Sequence, residues 1–239
     1  VSVTGSSRLG DGDGDRDGDG DGDGDRDRDG DRDGPGPPRR GRRPRTYAAV
    51  LAATTRLLET VPLADLSVAQ ILEAAGVGRT SFYEHFSSKE DVVVKLLRSV
   101  SADIAQEIEP MFTRGQRTPE QAFREGLTRL VSMWGRYAPL MLTGSTEWPD
   151  VPELRRLWLR IHADLTARIA AVIAADRAAG TAPAGADATA LAAGLVWTTE
   201  RALLVSRTGA VAALPDPEAL IDPLVELYVG SIYARPASR

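Results

Sequence analysis

The sequence predicts an all-α protein of about nine helices, in which a small three-helix N-terminal unit precedes a larger helical domain. Three observations carry this. Apolar residues recur at helical spacing in nearly every segment after Arg45. No segment sustains the one-in-two alternation of a strand. Proline and glycine punctuate the periodic segments, as at Pro62, Gly76, Pro110, Gly180 with Pro183, and Gly209. The expected organisation is a tail over residues 1–38, a first folded unit over 39–104 and a second over 105–236. Residues 11–34 are almost wholly Gly, Asp and Arg. With no apolar side chain to bury, such a segment cannot offset the entropy of ordering and is expected to be disordered.

The elements follow in order. The first helix is expected over about 46–60, with Tyr47, Val50, Leu51, Thr54, Leu57 and Leu58 on one face and Pro62 ending it. Ser67 begins the second as an N-cap, and Gln70 three residues on completes a capping box. Val68, Ile71, Leu72 and Ala75 then form one buried stripe. Gly76 follows where a left-handed residue ends a helix. Only Val77 and Gly78 separate this from a short third helix over about 79–86. Ser88 with Asp91 opens a fourth that runs to about Glu109, before Pro110. Further helices are expected over about 119–137, near Leu140, and over 152–179, 186–207 and 216–234. Gly180 with Pro183, Gly209, and Pro215 with Pro217 punctuate them.

Composition excludes several functions. The chain has no cysteine, so disulfides, thiolate catalysis and cysteine-ligated zinc are ruled out. Its two histidines, His85 and His162, fall in different units, so no metal site is expected. There is no nucleophile elbow, phosphate loop or dinucleotide fingerprint, so neither catalytic residues nor a cofactor are expected. The longest apolar run, Ala188 to Trp197, contains Thr189 and Gly194 and is far short of the roughly 20 residues a bilayer requires. The first residues show no basic or apolar leader segment, and the expected setting is the cytoplasm without membrane contact. The formal net charge of −5 is carried by the tail, where 12 aspartates face four arginines between residues 11 and 33. The remainder is net basic, and residues 39–45 pack five arginines into seven positions. Alone, that run reads equally as a solvated linker or a nucleic-acid contact.

The stretch Ser67–Lys89, SVAQILEAAGVGRTSFYEHFSSK, carries the functional signal. Two short helices joined by a Gly-containing turn form a helix-turn-helix, whose second helix can lie in a major groove. Phe82 and Phe86 are expected to face inward, leaving Arg79, Thr80, Ser81, Tyr83 and His85 outward as donors and acceptors for bases and phosphates. From spacing alone, a plain helical hairpin remains open as the alternative.

The run from Thr46 through Leu97 resembles the DNA-binding domain of the TetR family. The carrying residues are Leu66-Ser67-Val68, Ala74-Ala75-Gly76-Val77, Ser81-Phe82-Tyr83 with His85-Phe86, and Ser88-Lys89-Glu90-Asp91. The resemblance implies a homodimer that binds a double-stranded DNA operator. It assigns base or phosphate contacts to Arg79, Thr80 and Ser81, backbone contacts to Tyr83 and His85, and a phosphate to Lys89. It also implies contacts from an arm of Arg42, Arg43 and Arg45 ahead of Thr46. Gly78 departs from the pattern, because the family more often has a capping Ser there; glycine is a tolerable N-cap.

In the C-terminal half, Ala171-Val172-Ile173, Asp176-Arg177, Gly180, Thr199-Glu200-Arg201 and Ser231-Ile232-Tyr233 resemble the ethionamide-resistance repressor branch of that family. That resemblance implies an effector-binding and dimerisation domain enclosing a narrow apolar cavity for a small hydrophobic effector. Phe123, Leu130, Trp134, Trp158, Leu165, Val196 and Thr199 would line it. Val196 and Thr199 stand where the branch places amides, with Thr199 the candidate polar contact. Ordinary core packing is the competing reading for the tryptophans, and His162 reads as a satisfied or exposed histidine rather than a ligand contact. Leu191, Leu195 and Leu203, with Leu220, Leu224, Leu227 and Tyr228, give stripes wide enough for both core and partner. The expected function is a ligand-responsive repressor, not an enzyme, in which the fourth helix links the two units.

Overall fold

The computed structural model describes residues 42–214 and 216–234. The acidic tail expected over 1–38 lies outside the described residues, as do the side chains of Arg42 and Arg43. Among the described residues there are nine α-helices and no strand: α1 (Arg42–Leu57), α2 (Val68–Ala75), α3 (Arg79–Tyr83), α4 (Lys89–Glu107), α5 (Pro119–Arg136), α6 (Ala138–Glu147), α7 (Pro152–Ala178), α8 (Ala188–Arg207) and α9 (Ile221–Tyr233). Short 3-10 turns at Glu109–Met111 and Glu218–Leu220 lead out of α4 and into α9. No described helix is long and apolar enough to cross a membrane.

Local chemistry explains most boundaries. Ser67 Oγ accepts the Gln70 N–H, and the Gln70 side chain accepts the Ser67 N–H at 2.8 Å, so two orphan donors are satisfied at the start of α2. Gly76 ends α2 at φ +64°, a left-handed conformation strained for any residue with a Cβ. Thr118 with Gln121 repeats the capping box on α5, and Pro119 occupies its first turn, where no N–H partner is needed. Asp187 Oδ1 accepts the Ala190 N–H at 2.8 Å and starts α8 two residues later than expected.

Three expectations shift. α1 begins at Arg42 rather than near Thr46, because Pro44 falls in the first helical turn and extends the helix instead of breaking it. α3 is shorter than expected and ends at Tyr83, although Phe86 N–H still reaches the Phe82 carbonyl at 2.9 Å. The apolar stripes on α8 and α9 serve mainly this chain's own core. Leu195, Leu203, Leu220, Leu224 and Tyr228 are buried, and of the expected stripe only Leu227 is exposed, at 38%.

The packing has two regions joined by α4. α1 packs on α2, α3 and α4, with Val50, Ala53, Ile71, Phe82 and Phe86 fully buried between them. Farther along, α7 lies against α8 and α4, while α5 lies against α9. Gly144 on α6 permits the closest approach in this second region: a Cβ there would stand 2.4 Å from Trp158 Cζ3.

Candidate DNA-binding surface and apolar cavity

The third helix is held by an aromatic stack. The Phe86 ring stacks on Tyr47 of α1 with centroids 5.1 Å apart and planes 13° from parallel, and Phe82 packs against Phe86 at 5.4 Å. With these rings inward, Arg79 and Thr80 are exposed and Ser81 is half-buried. Tyr83 is 50% exposed with its ring edge-on to Phe82. Gly78 provides the N-cap backbone without a side-chain hydrogen bond. Arg45 is exposed and Thr46 half-buried on the first turns of α1. The outward set is therefore one cation, two hydroxyls and a phenol on one short helix, groups able to bond phosphates and base edges.

Two residues of the expected surface sit differently. His85 turns inward: its ring lies edge-on to Tyr47 at 5.9 Å, and its Nε2 is buried with no hydrogen-bond partner. The motif spacing placed it outward, but α3 ends before His85, so the helical face no longer projects that far. Lys89 directs its ammonium back into the fold, donating to the carbonyls of Leu63 at 2.7 Å and Ala64 at 3.0 Å. Two of its three donors are thus engaged, and they tie α4 to the turn before α2.

Lys95, which sequence reasoning missed, performs the matching task six residues farther along. Its ammonium donates to the His85 carbonyl at 2.5 Å and to Asp91 Oδ2 at 3.0 Å, and it lies 4.8 Å above the Phe86 ring. Asp91 also accepts the Ser87 N–H at 2.9 Å. Partial burial pushes the Asp91 carboxyl up, but the Ser87 N–H and Lys95 outweigh it and hold the group below the usual range. The i to i+4 spacing of Asp91 and Lys95 was visible in the sequence; the carbonyl they serve was not.

The second site is a cavity of about 70 Å³ lined by α4 to α9. Six of the seven expected residues line it: Leu130, Trp134, Trp158, Leu165, Val196 and Thr199. Phe123 does not. It packs one layer outward on Tyr228, with centroids 5.1 Å apart, and faces a separate groove beside Arg114, Asp176 and Tyr233. In that groove Asp176 accepts from the Arg114 guanidinium and from the Tyr233 hydroxyl, fastening α9 to α7. Burial, then the Asp176 carboxylate, push the Tyr233 hydroxyl up.

Leu97 and Ile104 of α4 also reach the cavity, as do Met111, Met133 and Met141, which are all the methionines of the chain. Unbranched thioethers re-pack readily, so the wall is pliable. The Thr199 hydroxyl is already engaged: it donates to the Leu195 carbonyl at 2.9 Å and lies 3.2 Å from the Tyr228 hydroxyl. Complete burial pushes the Tyr228 phenol up to about 12. His162, expected to be an ordinary satisfied or exposed histidine, is buried and lines the cavity. Its Nδ1 donates to the Trp158 carbonyl at 2.9 Å, and its ring stacks on Trp197 at 4.2 Å. Burial lowers its pKa against the opposing pull of that carbonyl, which favours the neutral ring.

Glu200 is a charged residue that the sequence did not single out for the cavity. Only 5% exposed, it receives the Ser145 hydroxyl on Oε1, while Oε2 has no hydrogen bond. Arg201 Nε stands 3.9 Å from Oε2, beyond hydrogen-bond reach. Burial raises the Glu200 pKa; Ser145 and Arg201 offset part of this.

A short helix exposing Arg79, Thr80 and Tyr83, braced by α1 and α4 and preceded by a capped helix and a glycine turn, defines a helix-turn-helix DNA-binding protein. The comparisons with known proteins narrow this further. Residues 50–96 match the family described as bacterial regulatory proteins, tetR family, and residues 123–234 match the C-terminal domain of transcriptional regulator EthR. The chain is 33% identical over 186 residues to the HTH-type transcriptional regulator EthR of Mycobacterium tuberculosis, covering 77% of this chain and 86% of that protein. It is 30% identical over 192 residues to EthR of Mycolicibacterium smegmatis, covering 78% and 85% respectively. Among solved structures, FadR of Bacillus subtilis in complex with stearoyl-CoA superposes with a TM-score of 0.65 at 17% identity, over 78% of this chain and all of that one. The chain belongs to the TetR family of bacterial regulators, in its EthR branch. It is a DNA-binding transcriptional regulator rather than an enzyme.

Proposed function

We propose that two copies of this chain bind a palindromic operator and that a small hydrophobic effector, held in the cavity between α4 and α9, releases them, so that the protein acts as a repressor. The observation that carries this reading is α4. Its first turns hold the DNA-facing unit through Lys89 and Lys95, and Leu97 and Ile104 on the same helix line the cavity. A ligand that re-packs that wall bears directly on the helix that positions α3. Two recognition helices enter successive major grooves only when about 34–36 Å apart. An effector favouring another spacing draws the dimer off DNA, by no more than its differential affinity for the two states.

In this reading Arg79, Thr80, Ser81 and Tyr83 meet the operator, joined by Arg42, Arg43, Arg45 and Thr46 at the start of α1. Gly78 brings the backbone close, and His85 and Lys89 support α3 from behind. The division between DNA-binding and effector units falls near residues 104–105, inside α4. The outer faces of α8 and α9, with half-buried Trp197, Ala202 and Val205 and exposed Leu227, form the dimer contact. A symmetric dimer presents the same patch twice and so selects a palindrome. The cytoplasm, where operator DNA resides, is the setting.

Selection of bound sequences from random duplexes is the test, together with light scattering. The expected results are a palindromic site and a particle of twice the 25.6 kDa chain mass. A monomer at micromolar concentration, or a selected site without dyad symmetry, would overturn the dimeric reading.

A further inference from the structure

The walls of the cavity are apolar, so the few polar groups reaching it decide what else a ligand must carry. The hydroxyls of Thr199 and Tyr228 bond each other, and Thr199 donates to the Leu195 carbonyl. His162 donates from Nδ1 to the Trp158 carbonyl, which leaves Nε2 as an acceptor. Trp158 is 1% exposed and its indole Nε1 has no partner. Glu200 is 5% exposed, with Oε1 taken by Ser145 and Oε2 without a hydrogen bond, its nearest cation the Arg201 Nε at 3.9 Å. An internal anchor for packing would use both carboxylate oxygens, because a desolvated acceptor without a donor is costly. Here one oxygen is secured, while the other is buried without a hydrogen bond, 3.9 Å from Arg201 Nε, in a residue that lines the cavity.

We propose that Glu200 is the polar anchor of the cavity and that the effector presents it with a hydrogen-bond donor: an apolar molecule ending in a hydroxyl, amide N–H or amine. The inference rests on the reading of the cavity as the effector site. The unfilled groups set its chemistry. Glu200 Oε2 and His162 Nε2 accept, while the Trp158 indole donates. A purely apolar ligand, or one whose oxygen only accepts, leaves the Glu200 oxygen unpaired. A hydroxyl donates to Glu200 and can also accept from the indole. Ser145 holds the carboxylate in place, and Arg201, 57% exposed on its side chain, keeps its guanidinium outside hydrogen-bond range.

Three probes of nearly equal shape separate these cases: benzyl alcohol, which donates; anisole, whose oxygen only accepts; and ethylbenzene, which does neither. Each is titrated into the full-length, ¹⁵N-labelled protein while the indole N–H resonances of Trp134 and Trp158 are followed. The expected result is that Glu200→Met weakens benzyl alcohol about tenfold or more, as for a lost hydrogen bond to a charged group. The same variant should leave anisole and ethylbenzene unchanged or tighter. If the variant does not fold, the wild type alone decides: after correction for water-to-octanol transfer, benzyl alcohol should bind about tenfold tighter than either analogue. Ethylbenzene shifting the indoles, with benzyl alcohol showing no such advantage or no response to the variant, would overturn the Glu200 anchor and leave the cavity reading standing. If none of the three probes moves the Trp134 or Trp158 resonances, the cavity reading fails and this inference with it.

Discussion

Replacing Gly144 by alanine sets two ordinary effects against each other, and the structure decides which wins. In an unobstructed helix the change stabilises by about 0.8–1 kcal/mol, because alanine loses less backbone freedom than glycine on folding. Gly144 is buried on α6, and the added Cβ would lie 2.4 Å from Trp158 Cζ3 and 2.9 Å from Cε3. Ordinary contact begins near 3.4 Å, so the indole must retreat by about 1 Å, and both groups are rigid. Overpacking of this kind costs about 1–3 kcal/mol, and a 2.4 Å contact between two rigid groups falls in the upper part of that range, about 2–3 kcal/mol. The net expectation is a loss of about 1–2 kcal/mol, which for a folded region of this size lowers Tm by roughly 2–8 °C. Thermal unfolding followed by circular dichroism measures the first effect. Because Trp158 also lines the cavity, its indole resonance should move and ethylbenzene should bind more weakly. A Tm equal to or above that of the parent would refute the reasoning: it would mean that the helix yields to the methyl and that the Gly144–Trp158 contact is not a close-packed one.

Three further outcomes follow from the same geometry. Arg79→Ala should cost about 1–3 kcal/mol of operator binding, or reduce the salt slope by about 1 if the guanidinium meets a phosphate, as measured by anisotropy titrations across salt concentrations. Lys95→Met keeps the stem over Phe86 but removes the donor to the His85 carbonyl; it should lower stability by about 1–2 kcal/mol and weaken DNA binding with the salt slope unchanged, because the ammonium faces the fold. Tyr228, whose folded pKa of about 12 exceeds its ordinary value of 10.0, contributes stability that is fully present below pH 10 and is lost as pH rises towards 12. Tyr228→Phe should therefore shrink the alkaline loss seen in denaturant titrations at pH 9 and pH 11, by up to about 1–2 kcal/mol.

What the sequence by itself determined is what short-range chemistry governs. Ser67 and Gln70 satisfy each other within one helical turn, Gly76 alone tolerates its φ of +64°, and Ser88 caps α4 through the Asp91 N–H, so these boundaries were legible as residues. The inward rings of the helix-turn-helix followed from the spacing of Phe82 and Phe86, and six of the seven residues expected at the cavity do line it. Tertiary structure decided where polar groups point. Lys89 reaches carbonyls some 26 residues earlier, and His85 turns under Tyr47 because α3 stops short. Periodicity marks which face of a helix is buried, but not whether that face meets another side chain or an empty space. Phe123 and Trp134 share one apolar stripe on α5, yet the first packs behind Tyr228 and the second lines the cavity. In the sequence Glu200 stands out only within the Thr199-Glu200-Arg201 resemblance, with no role at the cavity. Only the approach of α6, which brings Ser145 to one of its oxygens and leaves the other without a hydrogen bond, makes it a buried polar group of the site. Those contacts join residues tens of positions apart, and no local spacing encodes them.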